Sequence, residues 1–364
     1  MYNGLRWRSL IVHFTSLIVH SPSCIIYSTL PTGWQFVRFG AQSQPNDPML
    51  TLQTLRDAHD RIRPYIHRTP ALTCQTIDQM AGARLVFKCE NFQKIGAFKA
   101  RGGMNAALQL TEAERAYGVT THSSGNHAQA LAYAARQLQI PAYIVMPRTA
   151  PQVKKNAVRG YGATVIECEP TLQAREEGVR DVMLRTRAAL IHPFDDDRVI
   201  AGQSTATIEL LADNPTGLPF DAVLAPVGGG GLLSGTALAV HYLAPNTRVV
   251  GCEPEGAADA VLSFRSGRVE KAPYIDTIAD GLMTNLSERT LAIIRQYVSD
   301  IRLVNDDEIR AAQRLVWERM KLIIEPSCAV PLAVVLRYKA DFADQTVGII
   351  LTGGNVDLTK QFAS

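Results

Sequence analysis

The sequence lacks the features that mark several large classes of protein. Its six cysteines include no CxxC pair, so neither a zinc site nor a disulfide framework is indicated, and a reducing compartment is the simpler expectation. The net charge is only +3, which does not favour a nucleic-acid partner. No apolar run reaches the roughly 18 residues needed to cross a bilayer. With 364 residues, the chain is long enough for about two globular domains.

Residues 1–48 lack acidic side chains before Asp47. Together with a few arginines and several serines, this absence resembles an organellar transit peptide. We favour a different reading, an over-extended start with Met49 as the true first residue, because an amphipathic, charged helical pattern begins there. We therefore expect 1–48 to be a disordered leader outside the fold. We also expect the protein to be cytoplasmic, with organellar import as the alternative.

From residue 83 onward, short β-rich runs alternate with helical runs. Many of the β-rich runs are continuous and apolar, as are strands buried on both faces of a sheet. This alternation predicts parallel sheets covered by helices, either closed as a barrel or open and doubly wound. The predicted strands are Leu85–Cys89, Gly118–His122, Ala142–Met146, Thr164–Glu167, Ala188–His192, Ala222–Pro226, Val249–Glu253 and Val347–Leu351. The predicted helices are Lys99–Leu110, Gln129–Leu138, Gln152–Tyr161, Thr171–Thr186, Thr205–Leu211, Leu232–Leu243 and Asp306–Met320.

One lysine, Lys99, lies where a predicted strand gives way to a predicted helix. The surrounding stretch, Glu90–Gly102, contains Gly96 and apolar neighbours. Desolvation in such a place disfavours the ammonium and lowers the pKa of the amine. A neutral amine can attack a carbonyl, as Schiff-base formation requires. The alternative is a solvated lysine at a helix start, since most lysines are solvated.

Four consecutive glycines, Gly228–Gly231, separate the apolar run Asp221–Val227 from a helical run that begins at Leu232. Without Cβ atoms, the backbone can turn sharply and bring its N–H groups close to an anion. The N-terminus of a helix adds unpaired donors and a partial positive charge, so a phosphate fits there. The GxxxxGK[ST] pattern of an ATP-binding loop is missing. A flexible loop without a ligand is the alternative.

Hydroxyl and carboxamide side chains follow another predicted strand, in Thr121–His127. At a helix start, such groups can hold a carboxylate through neutral hydrogen bonds. Ser124 could also give or take a proton if it faces a reactive carbon. An ordinary helix N-cap would explain the same residues. A further hydroxyl, Thr352, follows the strand that ends at Leu351, which is where open parallel sheets bind ligands.

Two carboxylates flank a predicted turn. Glu253 ends a strand, and Asp259 follows after the turn. Two carboxylates and a free carbonyl suit a hard divalent ion that keeps some of its waters. A solvated acidic loop fits the same spacing.

These stretches occur together, in this order, in one family. The chain resembles the fold-type II pyridoxal-phosphate enzymes, in the branch of serine/threonine dehydratases and serine racemases, from about residue 52 to 360. The resemblance implies an α/β fold of two open, mostly parallel twisted sheets with helices on both faces, like the tryptophan synthase β chain. It also implies a large cofactor-binding domain (49–110 plus 198–364) and a small substrate-closing domain (111–197). The matching pieces are Glu90–Gln93, Gly96–Gly102, Ser123–His127, Ile191–Asp196, Ile200–Gln203, Gly228–Gly231, Trp317–Lys321 and Thr352–Asp357.

The resemblance assigns most of these residues to pyridoxal 5′-phosphate. Lys99 would be the Schiff-base lysine and the base that removes the α-proton of the substrate. Phe98 would pack against the cofactor ring, and Asn126 would bond its phenolic oxygen. Thr352 would bond the pyridine nitrogen; a neutral partner there weakens the electron sink and suits α,β-elimination. The phosphate would be held by the backbone N–H groups of Gly228, Gly229, Gly230, Gly231 and Leu232.

The resemblance also implies substrate, metal and partner contacts. Glu253, Asp259 and the carbonyl of Ala257 match a Mg²⁺ or Ca²⁺ site of the family. The expected partners are a small hydroxy amino acid and a second copy of the chain in a homodimer, with neither nucleic acid nor membrane. The loop that would hold the substrate carboxylate consists of Ser123, Ser124, Gly125, Asn126 and His127.

The expected reaction is the conversion of L-threonine to 2-oxobutanoate, or of L-serine to pyruvate, with release of ammonia. The first alternative is a serine racemase with Ser124 as its second base; Phe194 stands where racemases typically carry Asn and favours a dehydratase. The second alternative is a dehydratase of a 3-hydroxyaspartate-like amino acid. The third is a non-catalytic homologue, against which the joint presence of Lys99, Ser124 and Thr352 argues. Ser204 stands where the family usually has Gly.

Overall fold

The computed structural model describes residues 50–123 and 125–358, which form two sheets flanked by helices. The six-stranded sheet has the order β1-β2-β10-β7-β8-β9, and the four-stranded sheet has the order β5-β4-β3-β6. Among the described strands, β1 and β2 pair antiparallel and all other neighbours pair parallel. The strands are β1 (Ala71–Leu72), β2 (Arg84–Cys89), β3 (Val119–His122), β4 (Ala142–Pro147), β5 (Thr164–Cys168), β6 (Ala189–Leu190), β7 (Ala222–Pro226), β8 (Arg248–Pro254), β9 (Asp300–Val304) and β10 (Thr346–Leu351).

The helices begin where local capping chemistry allows them to. Thr51 accepts a hydrogen bond from the backbone of Thr54 ahead of α1, and Asn305 and Glu308 form a reciprocal capping box ahead of α12. The helices are α1 (Leu52–Ile62), α2 (Gln75–Ala81), α3 (Lys99–Leu108), α4 (Glu112–Tyr117), α5 (Asn126–Leu138), α6 (Gln152–Gly160), α7 (Leu172–Thr186), α8 (Asp197–Ala212), α9 (Gly231–Leu243), α10 (Asp259–Ser266), α11 (Glu288–Tyr297), α12 (Asp306–Met320) and α13 (Pro326–Arg337).

Each sheet has its own apolar core. Phe87, Leu224 and Ile349, from three adjacent strands of the larger sheet, are fully buried in one cluster with residues of α13. Leu131 of α5 and Ile144 of β4 are buried in a second cluster beside the smaller sheet. Burial of apolar side chains on both faces of a parallel sheet is what the continuous apolar strand patterns predicted.

The predicted α/β fold with two open, mostly parallel sheets is confirmed, and the closed barrel is excluded. Every predicted strand is present, although Ala188–His192 shortens to Ala189–Leu190. Two strands, β1 and β9, were not predicted, and the helix predicted at Thr205–Leu211 begins earlier, at Asp197. Ser204, which replaces the usual Gly of the family, fits within this helix because its hydroxyl donates to the carbonyl of Ala201 (2.6 Å).

The predicted division into domains stays a prediction. The described residues belong to one compact unit, in which the strands of the smaller sheet lie between residues 119 and 190. The leader predicted for residues 1–48 lies outside the described residues. Within the part of the chain that the structure describes, no helix is long and apolar enough to cross a membrane.

A buried cluster of charged side chains joins β2, α3 and α8. Arg101 donates two hydrogen bonds to Glu90 (2.7 and 2.8 Å) and two to Glu209 (2.9 and 2.7 Å). Lys88 donates to the same Glu209 carboxylate (2.7 Å). Arg101, Lys88 and Glu90 are all 0% exposed. Because Arg101 follows Lys99 by one helical half-turn, this charge cluster fixes the first turn of α3 against its neighbours.

We expect Arg101→Ala to lower the free energy of unfolding by about 3–5 kcal/mol, because it leaves the buried Glu90 carboxylate without a cation and leaves Glu209 with Lys88 alone. Urea unfolding followed by circular dichroism measures the loss. The control is Arg310→Ala, since Arg310 forms an exposed ion pair with Asp307 (3.0 Å) and should contribute less than about 1 kcal/mol. Equal losses in the two variants would contradict the role given to the charge cluster.

Candidate active site

The predicted site segments leave the carboxyl ends of neighbouring strands. In the larger sheet, β2, β10 and β7 are adjacent and lead into residues 90–98, 352–354 and 227–230. In the smaller sheet, β3 and β6 are adjacent and lead into residues 123–125 and 191–194. Parallel strands bring their carboxyl ends to one edge of a sheet, which is where such folds bind ligands.

Lys99 is the first residue of α3 and lies half-buried in this region. Its Nζ donates to the carbonyl of Pro193 (2.8 Å) and lies 5.1 Å from the centroid of the Phe98 ring. Desolvation lowers the pKa of the amine to about 8. A neutral amine is therefore accessible near neutral pH, as the sequence predicts for a lysine that attacks a carbonyl.

The loop that carries Lys99 is joined to the segment that follows β10. The N–H of Phe98 donates to the carbonyl of Thr352 (2.9 Å), and the N–H of Gly354 donates to the carbonyl of Gly96 (2.9 Å). Between these two bonds the segments form an antiparallel bridge. The segment that leads to Lys99, the predicted tether, is thus hydrogen-bonded directly to the segment that contains Thr352, the predicted partner of the pyridine nitrogen.

The four glycines lie at the N-terminus of α9 and pack tightly. Gly230 has a φ of +87°, in the left-handed region that favours glycine. A Cβ atom on Gly229 would lie 2.2 Å from the ring of Phe194, closer than any real contact allows. Gly231 is also within contact distance of Phe194. The loop needs glycine here because it packs against the segment that also accepts the hydrogen bond of Lys99.

The predicted carboxylate-binding loop is described in part. Ser124 lies outside the described residues, and the Ser123 hydroxyl accepts the N–H of Gly125 (3.3 Å). His127 is 2% exposed, and its Nε2 lies 3.1 Å from the carbonyl of Ile191, which requires a proton on Nε2. Burial lowers the pKa of His127 well below its usual range, so the ring is neutral. The substrate contacts of this loop stay a prediction.

Asn126 is held by two partners, the N-cap residue of α13 and a residue of the segment that follows β10. Its Nδ2 donates to Glu325 (2.8 Å), and its Oδ1 accepts from the amide of Asn355 (2.8 Å). Burial raises the pKa of the Glu325 carboxyl to about 7. Sequence reasoning missed Glu325, because Ile324-Glu325-Pro326 shows only the pattern of a helix start.

Aromatic rings line the side of the site near Lys99. His192 contacts His122 edge to face, with centroids 5.7 Å apart, and contacts Phe194 in the same way at 4.6 Å. The Nδ1 of His192 accepts the N–H of Asp195 (2.9 Å). Burial lowers the pKa of His192 to about 4, so this ring is also neutral. Sequence reasoning gave the two histidine rings no role of their own and used Phe194 only to favour a dehydratase over a racemase.

An arginine of α7, Arg175, acts on one of these rings, that of His122. Burial and the charge of Arg175 lower the pKa of His122, with Glu176 opposing them. The Nε of Arg175 donates to the carbonyl of Thr171 (3.3 Å), and none of the ion pairs among the described residues includes its guanidinium. Among the described residues, Arg175 is therefore a positive charge near His122 that no ion pair with a carboxylate neutralises.

The predicted cation site is built on the start of α10. The Glu253 carboxylate accepts the N–H groups of Ala260 (2.6 Å) and Val261 (2.9 Å), while Oδ2 of Asp259 is buried without a partner. Burial raises the pKa of Glu253 to about 8 and that of Asp259 to about 7. The described residues contain no cluster of three or more His, Cys, Asp or Glu side chains suited to a metal. Two carboxylates and the carbonyl of Ala257 would suit a divalent ion that keeps several of its waters. The cation site therefore stays a prediction.

Comparison with known proteins places this geometry in a family. The family model of the pyridoxal-phosphate dependent enzymes matches residues 62–353. A β-hydroxyaspartate dehydratase from Paracoccus denitrificans is 49% identical over 310 residues, which cover 85% of this chain and 98% of that protein. A serine racemase from Dictyostelium discoideum is 49% identical over 322 residues, covering 86% and 98%. The structure of a T.th. threonine deaminase superposes with a TM-score of 0.80 at 48% identity, covering 84% of this chain and 99% of that one.

The chain is a pyridoxal-phosphate dependent enzyme of fold type II. It belongs to the family that includes serine racemases, threonine deaminases and hydroxyaspartate dehydratases. The residues present fit the cofactor. Lys99 offers an amine of lowered pKa. The glycine loop, in which a Cβ on Gly229 would collide with Phe194, leads directly into the N-terminus of α9. Those helix-start N–H groups suit a phosphate.

We expect Lys99→Ala to abolish the visible absorption of the lysine-linked cofactor and to reduce turnover by at least about 10²–10⁴-fold, because the tether and the base are lost together. In the wild type, capture of added cofactor by the apoenzyme should accelerate as pH rises through about 8, where the amine loses its proton. Stopped-flow absorbance measures both effects. The exposed Lys339→Ala serves as control, and full activity in Lys99→Ala would refute the assignment.

We expect Gly229→Ala to weaken cofactor binding, because the added methyl group collides with the Phe194 ring. A loss of about 10-fold in affinity corresponds to roughly 1.4 kcal/mol, within the cost of overpacking. The double variant Gly229→Ala/Phe194→Ala should recover part of that loss, as measured by equilibrium titration with pyridoxal phosphate. Gly160→Ala is the control, since a Cβ there meets nothing within 4 Å. A double variant that binds no better than Gly229→Ala would contradict this packing argument.

Proposed function

We propose that the protein is an ammonia-lyase for a β-hydroxy amino acid with a second carboxylate, of the 3-hydroxyaspartate type. The sequence motifs favoured threonine or serine and left this substrate as an alternative. Two findings support the alternative. One is the 49% identity to the β-hydroxyaspartate dehydratase. The other, which carries the proposal, is Arg175, a cation beside His122 that no carboxylate among the described residues neutralises.

An arginine selects carboxylates through its planar fork of donors. A methyl group in the same position, as in threonine, would gain nothing from Arg175, whereas a β-carboxylate would gain a charge-assisted hydrogen bond. The neutral rings of His122 and His192 add no second charge. Preference for a dicarboxylic hydroxy amino acid follows from this distribution of charge.

The remaining roles are carried by residues that the sequence singled out. Pyridoxal phosphate, when bound, supplies the electron sink for a carbanion at the α-carbon. Lys99 tethers the cofactor and then accepts the α-proton, with its Nζ aimed by the carbonyl of Pro193. The N–H groups of Gly228–Gly231 and Leu232 hold the phosphate, and Phe98, Asn126 and Thr352 hold the ring.

Departure of the β-hydroxyl leaves an enamine, which tautomerises and hydrolyses to a 2-oxo acid and ammonia. For 3-hydroxyaspartate the oxo acid is oxaloacetate. Glu253, Asp259 and the carbonyl of Ala257 hold a divalent cation away from the reacting atoms, in keeping with the unpaired Oδ2 of Asp259. The homodimer and the cytoplasmic location remain predictions.

Serine racemisation is the second candidate, and the 49% identity to the racemase favours it. Racemisation needs a second base on the opposite face of the substrate, for which Ser124 is the candidate. Phe194 replaces the Asn typical of racemases and packs on the glycine loop, which supports elimination instead. Formation of D-serine faster than pyruvate from L-serine would overturn the choice of a lyase.

We expect Arg175→Gln to lower kcat/KM for 3-hydroxyaspartate by about 10- to 100-fold, the value of one charge-assisted hydrogen bond, and to leave threonine nearly unaffected. A coupled assay of oxo-acid formation measures both substrates. Arg180→Gln, on the same helix, is the matched control. An equal loss for the two substrates, or a wild-type preference for threonine, would refute the proposed substrate.

A further inference from the structure

The turn between β6 and α8, which begins near His192, contains the carbonyl that Lys99 contacts. That carbonyl belongs to Pro193 and accepts a hydrogen bond from Nζ of Lys99 (2.8 Å). The side chain of His192 folds back onto the backbone of the same turn. Its Nδ1 accepts the N–H of Asp195 (2.9 Å) and, at a longer distance, the N–H of Phe194 (3.4 Å). Because proline has no N–H, the imidazole takes the two backbone donors that follow it in this turn.

These two hydrogen bonds fix the protonation state of the imidazole. A backbone N–H can only donate, so Nδ1 of His192 carries no proton, and the single proton of the neutral ring is on Nε2. Burial lowers the pKa of His192 to about 4, and the neighbouring His122 acts in the same direction. Nδ1 therefore stays an acceptor at neutral pH and above, where Lys99 loses its proton.

The N–H of Phe194 and the carbonyl of Pro193 belong to one peptide unit. The ring of Phe194 holds this unit at one end, because it packs against Gly229. A peptide unit is planar and trans, so its N–H and its carbonyl point in opposite directions. An acceptor on the N–H side therefore sets the direction of the carbonyl on the other side, which is the side of Lys99.

We propose that His192 is a positioning residue whose Nδ1 orients the Pro193–Phe194 peptide unit and thereby directs the Pro193 carbonyl at Nζ of Lys99. The inference rests on the proposed function, in which the α-carbon of the substrate loses a proton to this Nζ. A neutral amine has one lone pair, and holding one of its N–H groups restricts the directions in which that pair can point.

The contact should act mainly on the proton transfer. When Lys99 accepts the α-proton, its amine becomes an ammonium, and its hydrogen bond to the Pro193 carbonyl becomes charge-assisted and stronger. The carbonyl therefore stabilises the transfer of the proton more than it stabilises the bound substrate. An interaction of this kind raises kcat and leaves KM nearly unchanged.

The test compares two substitutions of His192 in the full-length holoenzyme. His192→Phe keeps an aromatic ring against His122 and Phe194 but removes the acceptor. His192→Asn loses the ring, but its side-chain oxygen can accept backbone N–H groups of the turn, as in an Asx turn. We expect His192→Phe to lower kcat by about 10- to 100-fold with little change in KM, and His192→Asn to keep kcat within about 3-fold of the wild type.

A substrate with deuterium at the α-carbon separates this role from a purely structural one. The substrate is whichever of 3-hydroxyaspartate, threonine and serine the wild type turns over fastest. In His192→Phe the deuterium isotope effect on kcat should rise, because proton removal becomes slower than the steps after it. In His192→Asn it should match the wild type. His241→Phe is the matched control and should change neither quantity, since His241 is exposed near the end of α9 and its ring contacts that of Tyr297 (4.5 Å between centroids).

An unchanged kcat and isotope effect in folded His192→Phe would overturn the inference. Equal losses in the two variants would also overturn it, because they would place the function of the ring at Nε2, which both substitutions remove. If His192→Phe fails to fold, as circular dichroism would show, His192→Asn decides alone: a wild-type isotope effect supports the inference, and a raised one overturns it. None of these outcomes depends on which substrate is preferred, and an error in the role of Lys99 would appear separately, as full activity in Lys99→Ala.

Discussion

The ion cluster around Arg101 is the constraint on which the rest of the site depends. Two carboxylates, Glu90 and Glu209, are removed from water together with two cations, Arg101 and Lys88. Such groups are stable in a core only when every charge is paired. Because the partners come from β2, α3 and α8, satisfying the charges also fixes the relative positions of these elements. Lys99 begins α3 and is positioned by the same constraint.

The remaining parts of the site follow from the order of strands. With β10 between β2 and β7, the lysine loop, the Thr352 segment and the glycine loop must emerge side by side. The adjacent β3 and β6 bring Asn126 and Phe194 from the smaller sheet. Contacts between the two groups are direct: Asn126 bonds to Glu325, and Phe194 packs on Gly229. The binding of a cofactor by segments from both sheets would therefore depend on how these segments pack against each other.

Sequence reasoning located the candidate site segments correctly at strand ends, where the signal is local. Lys99, the glycine loop and Thr352 each lie at a strand end that apolar patterning reveals. Contacts between distant residues left no such signal, as the 199-residue separation of Asn126 and Glu325 shows. Two of the missed elements, β9 and α13, show the physical reason. The edge strand β9 carries the charged Asp300 and Arg302, and α13 contains Pro331, which normally ends a helical pattern.

The pairing of the lysine loop with the segment after β10 uses only main-chain atoms. Any residue other than proline can supply an N–H at Phe98 or Gly354, and every residue has a carbonyl. The distance between the predicted tether and the predicted partner of the cofactor ring is thus set by backbone hydrogen bonding and is insensitive to which side chains surround it. Evolution can therefore exchange residues around the substrate, and so change what is bound, while the predicted Schiff-base lysine keeps its position relative to the segment after β10.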